Sequence, residues 1–207
     1  AKADGTPRRT VDLQSLNKVS VRETHHTIPP VKQARSVPRD QLKTVTDAWN
    51  GYHSIPVSTE DRDKLTFITE NGRYRYCRAP MGYLASGDAY THRYDLIIAD
   101  VPRVTKCVDD VMPYDDINDR EGHWRRVMDF LGKVGRNGVM LNPDKFQFAV
   151  EEADFTAFRI SMTDVKPMPK YINAIEGFPR PRNISDVHSF GFGFGLVKQV
   201  SHYSQLV

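Results

Sequence analysis

The chain has 207 residues, of which 39% are hydrophobic and 27% charged, and a formal net charge of +3. That length suits one compact domain or two small ones with a packed core, and the composition is that of an ordinary globular protein. No apolar run approaches the about 20 residues of a membrane span, and Cys77 and Cys107 are too few for a disulfide framework or a thiolate metal centre.

Reduced cysteines point to an intracellular, cytoplasmic setting, and the small net charge permits a nucleic-acid partner without arguing for one. The opening Ala1-Lys2-Ala3-Asp4-Gly5 has neither an initiator Met nor a signal-peptide pattern, so a piece of a longer protein is expected. Residues 2–9 read as a glycine turn with basic flanks, residues 10–13 as a short strand and residues 16–19 as its exit. Pro30 opens a short helix through Val31, Ala34 and Val37 that Pro38 stops. Residues 43–47 form a β-prone run ending in Asp47, followed by a turn at Asn50-Gly51 and a second β-prone run, 53–57.

Residues 65–69 and 73–77 flank Glu70-Asn71-Gly72, where Asn-Gly supplies the positive φ angles of a tight hairpin. Ser86, Gly87 and Asp88 cap a helix running to about Ala99. The strongest helix signal starts at Asn118 as N-cap, with Glu121 completing a capping box. Trp124, Val127, Met128, Leu131 and Val134 give it an apolar face, and Asn137-Gly138 ends it. Residues 139–141 and 146–150 read as strands, and residues 155–161 as a partner of the latter. Prolines 167, 169, 179 and 181 mark a boundary near Met162. A short helix through Tyr171, Ile172 and Ile175 follows it, and a second starts near Ser185. Gly191, Gly193 and Gly195 have the wrong spacing, and no preceding strand, for a dinucleotide loop.

The chemistry centres on Asp109 and Asp110, two adjacent carboxylates within the apolar and β-branched run 101–112. Buried side by side they need a cation; exposed, they are ordinary turn chemistry. With Asp47 at another strand end, three carboxylates meet if the two strands are neighbours. Such hard oxygen ligands suit Mg²⁺ or Mn²⁺, and the chain shows no His/Cys spacing for Zn²⁺. His25 and His26 read as solvated loop.

In this order these segments resemble the reverse transcriptase domain of gypsy-type LTR retrotransposons and retroviruses, over nearly the whole chain. Lys2 through Leu16-Asn17 is similar to that family's fingers strand, and Asp47 through Val57 to its first catalytic motif. Ala79-Pro80-Met81-Gly82-Tyr83 resembles the segment supporting nucleotide and template, and Cys107-Val108-Asp109-Asp110 the Tyr-x-Asp-Asp box. Gly138 to Phe148 matches the next motif, Phe155-Thr156-Ala157-Phe158 the primer grip, and Val165 to Pro179 the start of the thumb.

The resemblance implies an α+β right-hand polymerase fragment whose palm is an antiparallel sheet packed on helices, with partial fingers and a partial thumb. Its expected division is fingers 1–22, palm 23–54, fingers hairpin 55–85, palm 86–162 and thumb from 163. Two Mg²⁺ or Mn²⁺ ions would be bridged by Asp47 and Asp109 on adjacent central strands, with Asp110 assisting and the Ala48 carbonyl as an extra ligand. Lys2 and Arg8 would grip the triphosphate, Tyr52 would exclude a ribose 2′-OH, and Met81, Gly82 and Lys145 would complete the nucleotide site. The implied partners are an RNA or DNA template with its primer, deoxynucleoside triphosphates, and the RNase H and integrase parts of a Pol polyprotein in a retroelement particle.

Cys107 replaces the usual Tyr, Pro113 falls where a paired strand is expected, and Ala157 stands where the grip usually has Gly. A second reading is therefore a catalytically silent palm that binds nucleic acid or a partner protein. A third, a small RNA-binding sheet, would need aromatics on its central strands and no metal.

Overall fold

The structure, a computed structural model, describes residues 11–188 and 191. Lys2, Arg8, Gly193 and Gly195 lie outside the described residues. In chain order the elements are α1 (Gln14–Val19), α2 (Pro30–Arg35), β1 (Gln41–Asp47), β2 (Thr66–Thr69), β3 (Gly72–Arg75) and α3 (Ser86–Ile98). Then come β4 (Val104–Cys107), β5 (Asp110–Asp116), α4 (Arg120–Arg136), β6 (Gln147–Val150), β7 (Ala153–Phe155), β8 (Phe158–Ile160), β9 (Val165–Pro167) and α5 (Pro169–Glu176). They form two compact units. Among the described residues, one joins 11–27 with 48–100 and 130–142; the other joins 28–47 with 101–129 and 143–188.

The second unit is built on an antiparallel sheet of order β4-β5-β1-β6. Strand alternation sends Lys43, Val45 and Asp47 to one face of β1, and Leu42, Thr44 and Thr46 to the other. Val45 and Met112 join Val31, Ala34 and Val37 of the α2 region and Phe155, Phe158 and Ile160 of the β7–β8 hairpin in one core cluster. Phe155 and Phe158 are fully buried, each stabilising the unit by about 1.5–3 kcal/mol relative to exposure. On the opposite face Thr44 Oγ1 meets His123 Nε2 of α4 at 2.7 Å, and His123 Nδ1 lies 3.0 Å from Asp115 Oδ2. All three side chains are fully buried, and Arg126 Nε donates to both Asp115 oxygens at 2.8 Å. Buried polar groups are tolerated when satisfied in this way. Lys43, also fully buried, donates to the Gln41 and Glu151 carbonyls at 2.8 Å, and burial pushes its ammonium down to about 8.

Pro113 is kept inside β5. The β1–β5 register runs Lys43↔Tyr114 and resumes at Thr46↔Val111, so the ladder opens where proline has no N–H to give. Thr44, opposite that gap, spends its hydroxyl on His123 and on the Ala149 N–H at 3.1 Å.

Several expectations need correction. Residues 10–13 form no strand among the described positions, and residues 16–19 belong to α1. The run 53–57 is a 3₁₀ turn, Gly51–Ser54, followed by a single bridge between Pro56 and Arg78, because Pro56 interrupts the ladder. In the β2–β3 hairpin, Thr69 pairs with Gly72, so Glu70 and Asn71 are the central turn residues and the positive φ falls on Gly72 alone. Asp119, not Asn118, caps α4: its Oδ1 accepts the Gly122 N–H at 2.9 Å. The Asn118 amide turns back to Asp116, and Glu121 pairs with Arg125.

The buried stripe of α4 is His123, Val127, Phe130 and Val134, while Trp124 and Met128 are about half exposed. Helix α3 begins at Ser86, and Asp88 is spent on Arg22 and the His25 N–H rather than on a cap. Residues 139–141 supply only a bridge from Leu141 to Ala48. The segment 155–161 folds on its own neighbours as β7–β8–β9, whereas β6 joins β1.

In the first unit, Tyr90 of α3 packs so closely on Gly51 that a Cβ there would meet its ring at 2.6 Å. Asn17 clamps the 82–84 turn, donating to the Gly82 carbonyl at 2.8 Å and accepting the Leu84 N–H at 3.0 Å. Among the described residues no helix is long and apolar enough to cross a membrane.

Candidate active site

Within the second unit the β1–β5 register places Asp47 directly opposite Asp110, and the β4–β5 register places Cys107 opposite Asp110. Directly opposed residues of an antiparallel pair share a face, so the carboxylates of Asp47 and Asp110 stand together on the α2 and β7–β8 side of the sheet. Asp109, expected on a central strand, lies instead in the two-residue turn Val108-Asp109. The turn length therefore makes Asp110 the cross-strand neighbour of Asp47. Val108 holds φ +55° there, a left-handed geometry that β-branched residues rarely adopt.

The electrostatics are those of crowded carboxylates. Burial first, then the charge of Asp47, pushes the Asp110 carboxyl up to about 6; Asp109 adds to this, and Lys145 and the Thr156 N–H oppose it. Lys145, delivered by the 3₁₀ turn Pro143–Lys145, sets its Nζ 2.7 Å from Asp47 Oδ2. That hydrogen bond, with the charges of Asp110 and Asp109 behind it, raises the lysine above its usual value. The lysine side chain is 59% exposed, so a cation from solvent has access to displace it. Among the described residues no three His, Cys, Asp or Glu side chains are arranged to hold a metal as they stand. In kind, however, the oxygen-only donors, the like-charge pressure on Asp110 and the lysine already drawn to Asp47 fit a hard divalent cation.

The hairpin read as a primer grip reaches this site in a way the sequence did not announce. Phe155 pairs with Phe158 across the two-residue turn Thr156-Ala157, and the Thr156 N–H is hydrogen-bonded to Asp110. The rings of Phe155 and Phe158 and the Ala157 methyl are buried, so they pack the core instead of meeting a ligand. The half-buried Thr156 and the turn backbone are what remain to touch one.

The other expected residues belong to the first unit. Ala48 is buried and bridged to Leu141. Tyr52 is half-buried and meets Tyr90 edge to face at 5.7 Å. Gly82 has φ +94° with its carbonyl held by Asn17, and Met81 precedes it half-buried.

The sequence matches the family described as reverse transcriptase (RNA-dependent DNA polymerase) over residues 1–160. The chain belongs to that family. It is 25% identical over 186 residues to a retrovirus-related Pol polyprotein from transposon opus of Drosophila melanogaster, covering 88% of this chain. With the Pol polyprotein of transposon gypsy, from the same organism, identity is 24% over 193 residues and covers 91% of this chain. The chain spans 18% of the length of either relative. The solved foamy viral protease-reverse transcriptase in complex with double-stranded DNA superposes with a TM-score of 0.87 at 19% identity, covering 95% of this chain and 34% of that one. The expected family and the α+β right-hand polymerase fold thus hold for this reverse transcriptase chain.

Proposed function

We propose that this domain catalyses template-directed transfer of deoxynucleotides to a primer 3′-OH, on RNA and DNA templates. The observation that carries the reading is the face-to-face placement of Asp47 and Asp110 beside the Asp109 turn, with Asp110 raised to about 6. Asp47, Asp109 and Asp110, with the Ala48 carbonyl, would hold two Mg²⁺ or Mn²⁺ ions. Bound there, such ions neutralise the charge that builds on the attacking and leaving oxygens of an in-line displacement. The protein's part is positioning and electrostatics, and no side-chain nucleophile is needed.

Val108 and Thr156 fix Asp110 from two sides, one through the turn that precedes it and one through a backbone N–H. Lys145 supplies a mobile ammonium for the phosphates once Asp47 is engaged elsewhere, and Lys2 and Arg8 serve the triphosphate as charge-assisted donors. Tyr52 acts as the gate against a ribose 2′-OH, Met81 and Gly82 support the base, and the turn at Thr156-Ala157 contacts the primer. The domain map that goes with this is fingers 1–22 and 55–85, palm 23–54 and 86–162, and thumb from 163. The partners are a primed template, deoxynucleoside triphosphates and the rest of a Pol polyprotein, within a cytoplasmic retroelement particle.

The test is extension of oligo(dT) on poly(rA) with Mg²⁺ or Mn²⁺, comparing the chain with Asp109→Asn and Asp110→Asn. Extension by the wild type that disappears in both variants establishes the activity and its ligands. The Lys145 ammonium seated on Asp47 favours one alternative, a silent palm; binding of the primed template without extension in any of the three proteins would select it.

A further inference from the structure

A second basic site lies in the first unit, built from residues other than the clustered carboxylates. A cavity of about 450 Å³ is lined by Arg78, Arg93 and Arg136 and by no carboxylate. Its size is that of a small-ligand pocket. Elsewhere this fold pairs its arginines readily, as in Arg22–Asp88, Arg126–Asp115 and Arg159–Asp154. Arg78, Arg93 and Arg136 form no ion pair with a carboxylate among the described residues. Three guanidinium groups around one hollow repel one another unless an anion joins them.

The wall is preorganised. Arg93 donates from Nη1 to the Ser54 carbonyl and hydroxyl at 3.0 and 3.1 Å, and from Nη2 to the Asn137 carbonyl at 2.6 Å. It thereby ties together the two chain segments that form the cavity, and Arg78 adds a longer contact to the same Ser54 carbonyl at 3.4 Å. Trp49 also lines the hollow; its backbone N–H is fixed to Met140 O at 2.8 Å, yet 51% of its surface is exposed. An arginine fork matches phosphate oxygens, and an exposed indole held by its backbone offers a stacking face for a base.

We propose that this cavity binds a nucleotide, its phosphates on Arg78 and Arg136 beside the anchored Arg93 and its base against Trp49. The phosphate chemistry is shared by a free nucleoside triphosphate and by an unpaired strand of nucleic acid, and the two sources are separable by competition.

The chain has two tryptophans, so Trp124→Phe leaves Trp49 as the sole reporter. Its fluorescence is titrated in EDTA with ATP, inorganic tripolyphosphate, adenosine and a short oligo(dT). Saturable quenching by ATP is expected, with competition by tripolyphosphate and no response to adenosine at the same concentration. The Arg78→Gln/Arg136→Gln pair should weaken ATP about tenfold or more. Both arginines are exposed, so the melting temperature should not move. Asp110→Asn should bind ATP as the parent does. Unchanged affinity in the arginine pair, equal binding of adenosine, or loss of binding in Asp110→Asn would each overturn the proposal. If ATP binds as expected, oligo(dT) that displaces it more tightly, and more salt-dependently, identifies a strand as the natural source; failure to displace identifies a free nucleotide. Because metal is chelated and no synthesis is read, the outcome is independent of the polymerase reading.

Discussion

Replacing Asp110 with Asn should stabilise the metal-free protein at neutral pH while abolishing its response to divalent cations. The Asp110 carboxyl rises from an ordinary 3.8 to about 6 because it is buried and faces Asp47. That difference corresponds to a penalty of about 3 kcal/mol when Asp110 is ionised. The sign follows from a folded-state pKa that lies above the unfolded one. The penalty is absent well below pH 4, grows as the pH climbs from about 4 to about 6, and is complete above that. Asn keeps the shape and the acceptor for the Thr156 N–H but carries no charge. In EDTA at pH 7.5, thermal or urea unfolding should show Asp110→Asn more stable by up to about 3 kcal/mol, or about 6–12 °C for a chain of this size. The gap should narrow to about 1 kcal/mol by pH 4.5 and close by about pH 3.5. Adding Mg²⁺ at pH 7.5 should raise the wild-type melting temperature and leave the variant unmoved. A variant no more stable than wild type at pH 7.5, or a gap that keeps its full size at pH 3.5, would refute the like-charge account of this site.

Thr156→Gly should stabilise the fold by about 1–2 kcal/mol in urea titrations, because Thr156 holds φ +55° and buries a hydroxyl with no hydrogen-bond partner among the described residues. Loss of stability would show that its methyl group packs better than the strain costs. His123→Ala should destabilise by about 3 kcal/mol, since it strips one partner from buried Asp115 and one from Thr44. A cost below about 1 kcal/mol would mean that water replaces the imidazole. Gly51→Ala should cost about 2–3 kcal/mol through its 2.6 Å clash with Tyr90. Tyr90→Leu in the same chain should recover part of that loss, and a double variant worse than the sum of the two singles would place the strain elsewhere.

Much of the fold was legible where local chemistry and tertiary demand agree. Residues 43–47 alternate on a buried strand and end in a carboxylate, and the 66–75 hairpin turns within the expected Glu70-Asn71-Gly72, although the positive φ falls on Gly72 alone. Helix α4 reads from spacing alone, yet its buried stripe does not. Trp124 and Met128 count as core by type, whereas His123 is the residue that is fully buried. Its partner Thr44 lies 79 positions away, so nothing local marks the histidine as satisfied. The cap went to Asp119 because Asn118 and Asp119 are equally good N-caps and only the chain path from Asp116 chooses between them. Three site carboxylates could be named from the sequence. Which of the adjacent pair faces Asp47 could not, because it depends on whether the turn after Cys107 holds one residue or two.

That turn has a counterpart. Val108-Asp109 and Thr156-Ala157 are both two-residue turns with a non-glycine residue at φ +55° in the first central position, where glycine is the undemanding choice. Each left-handed residue of this kind costs about 1–3 kcal/mol. Both turns end on the same group: one leads into Asp110, and the other gives it a backbone N–H. Of the five left-handed non-glycine residues described in this unit, Asp40, Arg103, Val108, Ala149 and Thr156, two adjoin this one raised carboxyl, which is explained by a demand on where that carboxyl stands. Gly at both positions should therefore yield a more stable protein that binds divalent cations less tightly, and tighter binding in the relaxed protein would show that the strain serves packing alone.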